Sequence, residues 1–271
     1  MCSSAGAKKW QAFILLNQVI VFDEVVRGFM NKFKLQYLCG ALALSMMASL
    51  VMADESYAVS GAAYNLKTGK VVYRELFSAL DGNNEVHVNY AKPDGVIFAR
   101  KKLNYNTEVF QPGLEFNDER DDELVSAAFD GGRLLLTHKI KGDSQTKTLY
   151  ETSKLIIDAG VDAFIQQQWA RITSGKKVEF DVADARHLGV EKFVIKEIDS
   201  SASPLAYKGA GEKWKYFRVD TANKLSSIFV EPIYYAYEPD GKYLMRYQGR
   251  SNIDDDSGDS WDVRIEYEYF Q

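Results

Sequence analysis

The stretch DAGVDAFIQQQWARITSGKK, Asp158 to Lys177, is the one segment after residue 53 in which apolar residues recur clearly at helical spacing. Val161, Phe164, Ile165, Trp169 and Ile172 fall at i, i+3, i+4, i+8 and i+11, which lines them along one side of an α-helix while Gln166, Gln167 and Arg171 point elsewhere. The spacing predicts one amphipathic helix over about 160–174. Asp158 is its expected N-cap, Gly175 its expected C′ residue, and Arg171 sits in the last turn, where the helix dipole favours a cation.

Around this helix the chain reads as strand after strand. YAVSGAAYNL and VVYRELFSAL flank Lys67-Thr68-Gly69-Lys70 and predict a hairpin. DGNNE, AKPDG, QPG, FDGG, KGDSQ, EPDG and DDSGD punctuate the rest, with Pro and Gly supplying the preset and positive φ angles of tight turns. Trp261, Val263, Ile265, Tyr267 and Tyr269 alternate with Asp262, Arg264, Glu266 and Glu268, the period of a half-buried strand. Leu134, Leu136 and Ile140, and likewise Val178, Phe180 and Val182, alternate with polar neighbours in the same way. The expected fold is mainly β: a curved antiparallel sheet or half-barrel built as a meander. A sheet that curls leaves an open apolar concavity, and the helix is expected to pack on that concave face.

The N-terminus reads as a targeting segment. MNKFKLQYLCGALALSMMASLVMADES, from Met30, carries Lys32 and Lys34, then an apolar run, then Val51-Met52-Ala53. That is the order of a secretory signal peptide, residues 30–53, with cleavage predicted after Ala53. Its apolar run is shorter than the ~20 residues of a bilayer span. Cys39 follows Leu38 near the start of that run, which does not fit a lipoprotein signal. Residues 1–29 read as an upstream extension, because Asp23 and Glu24 do not belong in a basic leader. The expected mature chain, 54–271, is then a single β-rich exported domain, periplasmic or secreted.

Of 33 Lys+Arg and 38 Asp+Glu, five and two precede Asp54, so the mature chain carries 28 against 36, a net charge of −8. Such a surface argues against nucleic acid or anionic lipid as an electrostatic partner. Cys2 and Cys39 both lie upstream, so the mature chain has neither disulfide nor thiol and depends on a sizeable core.

Three segments carry a resemblance: GAAYNLKTGKVVYRE, DAGVDAFIQQQW with SGKKVEFDV, and YLMRYQGRSNIDDDSGDSWDVRIEYEY. Together they resemble an uncharacterised family of bacterial exported β-rich proteins, of the domain-of-unknown-function kind, from about Tyr57 to Tyr269. The family has no assigned activity, so the resemblance implies a β-rich exported fold and no catalytic residues. Curved sheets in exported bacterial proteins also include the half-barrels of lipoprotein carriers, a comparison of fold alone.

No catalytic, cofactor or metal constellation emerges. His87, His138 and His187 are scattered, without the short paired spacing of metal ligands. His138 shares strand parity with Leu134 and Leu136 and is expected to face inward, as a hydrogen-bonded interior or cavity-lining residue. Asn252, Asp254 and Asp256 begin like a calcium loop, but Ser257 stands where glycine is needed and Val263 where the bidentate glutamate is needed, so they predict a solvated turn. NDERDDE, Asn117 to Glu123, predicts an exposed loop. Aromatic residues crowd the C-terminal meander, and Phe164, Trp169, His138, Tyr247 and Tyr267 are the candidate pocket or core lining. The expected function is non-enzymatic binding of a lipid or other hydrophobic ligand in an apolar sheet cavity. The alternatives are an envelope assembly protein with a packed core, partnered by another envelope protein, and a hydrolase working through carboxylates.

Overall fold

The computed structural model describes residues 57–150, 154–206, 214–222 and 231–270. The expected extension 1–29 and signal segment 30–53, with both cysteines, lie outside the described residues. Residues 57–270 form one compact unit.

Among the described residues, fifteen strands make a single sheet. The first eight are β1 (Tyr57–Asn65), β2 (Val71–Ser78), β3 (Glu85–Ala91), β4 (Ile97–Glu108), β5 (Gln111–Asp118), β6 (Glu123–Asp130), β7 (Arg133–Ile140) and β8 (Asp143–Leu149). They meander antiparallel from the middle of the sheet to one edge. The chain then crosses to the opposite edge, where β9 (Leu155–Ile157) leads into α1 (Gly160–Gln167) and α2 (Trp169–Ile172). It returns to the middle through β10 (Val178–Asp184), β11 (Gly189–Ile198), β12 (Lys215–Thr221), β13 (Ile233–Tyr237), β14 (Leu244–Asp254) and β15 (Ser260–Tyr269). There β15 pairs antiparallel with β1, Ala63 opposite Ile265.

Chain length dictates how far this sheet must curl. Fourteen strand spacings laid flat span ~67 Å at ~4.8 Å each. The six residue steps from Leu149, at the end of β8, to Leu155, at the start of β9, reach only ~20 Å. Both edges must therefore lie close together, and the sheet must bend into a barrel-like wall. Its seam is visible where the Ile157 N–H donates to the Phe110 carbonyl (2.9 Å) and Gln111 Nε2 donates to the Leu155 carbonyl (2.8 Å). Val125, Ala127, Leu134 and Leu136 from β6 and β7 share one buried cluster with Leu155, Ile157 and Ala183 from the far side of that seam.

The helix proves to be the crossover of a parallel pair. β9 pairs parallel with β10, Ile156 opposite Val182, whereas the other pairings are antiparallel. Parallel neighbours need a crossover of a dozen or more residues, usually helical, which explains why the helix falls at this one point in the chain. It is also not continuous. Gln168 (φ −88°, ψ 6°) separates α1 from α2, a correction to the single helix expected over about 160–174. Ile165 and Ile172 are fully buried, and Val161, Phe164 and Trp169 pack against the same cluster with Phe217 and Tyr237. Gly175 ends the segment at φ +82°.

Three further expectations are corrected. Ala159, not Asp158, is the N-cap, because Asp158 adopts φ +43° and turns its carboxylate to Lys101. QPG is not a turn: Gln111, Pro112 and Gly113 lie in β5, and the chain reverses at Val109-Phe110. Both ends of NDERDDE belong to strands. Asp118 and Glu123 are buried because Arg120 pairs with the first and Arg186 with the second.

Candidate functional site

Alternation along the central strands sends one face inward, and two ionisable residues, Glu75 and Lys101, travel with it, to be joined by two from the crossover. On β2, Glu75 shares parity with Tyr73 and Phe77; on β4, Lys101 shares parity with Ala99, Leu103 and Tyr105. Asp158 arrives from the β9–α1 turn and Asp162 from the first turn of α1. All four line a partly open cavity of about 450 Å³ bordered by the inner faces of β1–β4 and β13–β15 and the start of α1.

The apolar part of the wall comes from Val59, Phe77, Leu103, Val161, Leu244 and Ile265. Tyrosines supply most of the rest, and several hydroxyls are tied. Tyr73 shares a hydrogen bond with Ser251 Oγ (2.7 Å), Tyr247 donates to the Arg250 carbonyl (2.6 Å) and Tyr269 to the Leu244 carbonyl (2.9 Å). Rigid aromatic walls with convergent polar groups, in a volume within the ~300–1,000 Å³ usual for small-ligand sites, are the features of a binding pocket.

The charged residues are not equivalent. Lys101 Nζ donates to both oxygens of Asp158 (3.0 and 2.8 Å) and lies 5.8 Å from the Tyr90 ring centroid. Burial opposes its charge, but Asp158 and Tyr90 more than offset that and hold the ammonium well above the ordinary lysine range. Glu75 is only 6 % exposed. Its Oε2 accepts the Tyr267 hydroxyl at 3.2 Å, and its other oxygen accepts no hydrogen bond among the described residues. Burial pushes its carboxyl up to about 7, against the pull of Lys101 and the Tyr267 hydrogen bond. Burial likewise pushes Asp162 up to about 6, although Tyr237 donates to its Oδ1 (2.6 Å) and Gln166 to its Oδ2 (2.9 Å). Glu75 and Asp162 are therefore the two carboxylates with no cation of their own.

Beyond the Lys101–Asp158 pair lies a second chamber of about 230 Å³, lined by Leu114, Phe116, Val125 and Phe193 among others. Both chambers are bounded by Lys101, Asp158 and Asn252, so the ion pair stands in the partition between them.

The residues singled out from sequence scatter over four places. Tyr247 and Tyr267 line the main cavity. Phe164 lines a separate open groove of about 690 Å³ with Phe110, Phe180 and Phe193. Trp169 packs edge-on against Phe217 and Tyr237, centroids 5.2 and 5.7 Å apart. His138 lies at one end of the barrel, its Nε2 2.9 Å from Glu123 Oε1, where Arg186 also bridges Glu123 and Asp254 (2.7 and 2.9 Å). Asp254 is thus held by an arginine, and Asp255 closes the β14–β15 turn on Ser257 and Asp259. Asp81, Glu85 and His87 cluster at the exposed β2–β3 turn, where Asp81 Oδ1 already accepts the backbone N–H groups of Asn83 and Glu85.

Glu75, Lys101, Asp158 and Asp162 are not among the site residues singled out from sequence, where Asp158 figures only as the expected N-cap. The available signal was parity: a charged residue between Tyr73 and Phe77, and another between Ala99 and Leu103, each in phase with an inward face. The expected cavity was apolar; the one present has an apolar wall with ionisable groups set into it.

No family model matches the chain, and no curated protein sequence matches it. Among solved structures it is similar to a β-barrel-like protein of the domain of unknown function DUF1849 from Brucella abortus, with a TM-score of 0.40 and 10 % identity. That likeness covers 79 % of this chain and 99 % of the other. It brings no residue role with it, and a functional reading of this chain rests on its own cavity.

Proposed function

We propose that this is a non-enzymatic binding protein of the bacterial envelope, holding a small, largely hydrophobic ligand inside its curled sheet. The observation that carries this reading is the partly open cavity of about 450 Å³, with an apolar and tyrosine-lined wall, set beside the packed clusters of the sheet interior. Export is supported by the basic–apolar–small order of residues 30–53. Native mass spectrometry of protein purified from its own envelope tests both points. A mature mass beginning at Asp54 and a co-purifying small molecule are expected. Repeated recovery of empty protein would remove the binding role, and recovery of uncleaved chain would remove the export.

A second reading, a carboxylate-based hydrolase, is favoured by one observation. Glu75 and Asp162 line the same cavity, and burial holds both in the range where a carboxylic acid can donate a proton near neutrality. Turnover on a panel of glycosides and esters, abolished by Glu75→Gln with ligand binding retained, would establish it over simple binding.

A further inference from the structure

We propose that the cavity selects ligands carrying a protonated amine on an apolar body, with Glu75 as the anchor for the ammonium group. This deepens the binding reading above and rests on it. The choice of head group follows from what each charged residue already holds. A carboxylate or phosphate head would need a free cation, but Lys101 Nζ is engaged by both oxygens of Asp158, and Arg250 at the rim pairs with Asp262 at 3.1 Å. Glu75, by contrast, keeps one oxygen without a hydrogen bond among the described residues, although its side chain is almost fully buried. That oxygen borders the cavity and is not a sealed, unsatisfied acceptor, so a donor entering the cavity can reach it.

The surrounding rings suit the same guest. Tyr105 and Tyr235 line the same cavity near Asp158 and Asp162, and the negative faces of aromatic rings attract a desolvated cation. The hydroxyls of Tyr105 and Tyr235 make no hydrogen bond among the described residues, so they too can accept from an ammonium. The apolar body would lie along Leu103, Val161 and Ile265.

Glu75 is faced by Lys101 on β4, Asp158 on the β9–α1 turn, Tyr73 and Tyr90 on β2 and β3, and Tyr247 and Tyr267 on β14 and β15. Of these only Lys101 is a cation, and it is paired. An ammonium ligand therefore binds the ionised form of Glu75. With that carboxyl near 7 and an alkyl amine titrating near ~10.4 as lysine does, affinity should rise about tenfold from pH 6 to pH 8.

Three probes of one chain length, octylamine, octanol and octanoate, test this by calorimetry on the mature chain. Octylamine is expected to bind about tenfold or more tightly than octanol at pH 8, with octanoate weakest. Glu75→Gln is expected to erase the preference for octylamine and to leave octanol binding within about twofold. Asp162→Asn, which leaves Glu75 in place, should retain the preference. If octanoate binds as tightly as octylamine, the head-group assignment is overturned while the binding reading survives. If none of the three binds, the binding reading itself fails. The wild-type ranking decides the matter even if a variant does not fold.

Discussion

Lys101 and Asp158 are 57 positions apart in the chain and 2.8 Å apart in the fold. The ammonium side chain is 8 % exposed and the carboxylate side chain 21 %, so removing one partner strands a largely desolvated charge. Lys101→Met is expected to lower stability by about 3–5 kcal/mol in urea melts, and the double variant Lys101→Met, Asp158→Asn to recover much of that loss. Equal losses in both would show that the pair does not act as a unit. Glu75 and Asp162 behave in the opposite sense. Their carboxyls rise from 4.5 to about 7 and from 3.8 to about 6, so the fold favours the protonated forms. Stability is then undiminished below pH ~4 and declines as pH climbs through the folded values, by roughly 3 kcal/mol for each group. Glu75→Gln should remove about two-thirds of that decline between pH 5 and pH 8 and exceed wild type in stability at pH 8; parallel pH profiles for the two proteins would contradict this. Residues of this kind were only half legible in sequence. Strand parity places Glu75 and Lys101 on the inner face, but nothing local indicates that Asp158 leaves its N-cap position to meet a lysine from β4.

At the scale of elements, periodicity carried most of the information. The alternation in β7, β10 and β15 and the 3.6-residue spacing of Val161 to Ile172 identify those elements because burial acts on every second or every third to fourth residue. Parallel pairing of β9 with β10 was not legible, since Leu155-Ile156-Ile157 is too short to show a period and is buried at every position. The break at Gln168 was equally hidden, because α1 and α2 present one continuous apolar side across it. Trp169 shows what holds that side down. Its ring lies against Phe217 and Tyr237 and over Gly241, where an added Cβ would come within 2.7 Å of the indole and where φ is +76°. Trp169→Ala is expected to cost about 3–5 kcal/mol, and Gln167→Ala, at an exposed position on the other side, within about half a kcal/mol. Similar small losses at both positions in urea melts would mean that the helical crossover is not a structural part of the wall.

For the molecule as a whole, the turn punctuation pointed to a meander, but the strand order did not follow from it. A chain that starts at the middle of its sheet, runs out to β8 and re-enters at the opposite edge can close only by curling, and that curl creates the interior. Arg186, from the β10–β11 turn, secures one end by reaching Glu123 on β6 and Asp254 on β14. The central claim is that the cavity inside the curl takes up a ligand, and the neutral fluorophore N-phenyl-1-naphthylamine addresses it directly. Titrated into the mature chain, it should give a saturable, one-to-one rise in fluorescence. Val161→Trp, which places an indole in the cavity from α1, should abolish that rise while its circular dichroism spectrum stays that of wild type. No rise with wild type, or an undiminished rise in a folded Val161→Trp variant, would contradict a ligand-binding interior.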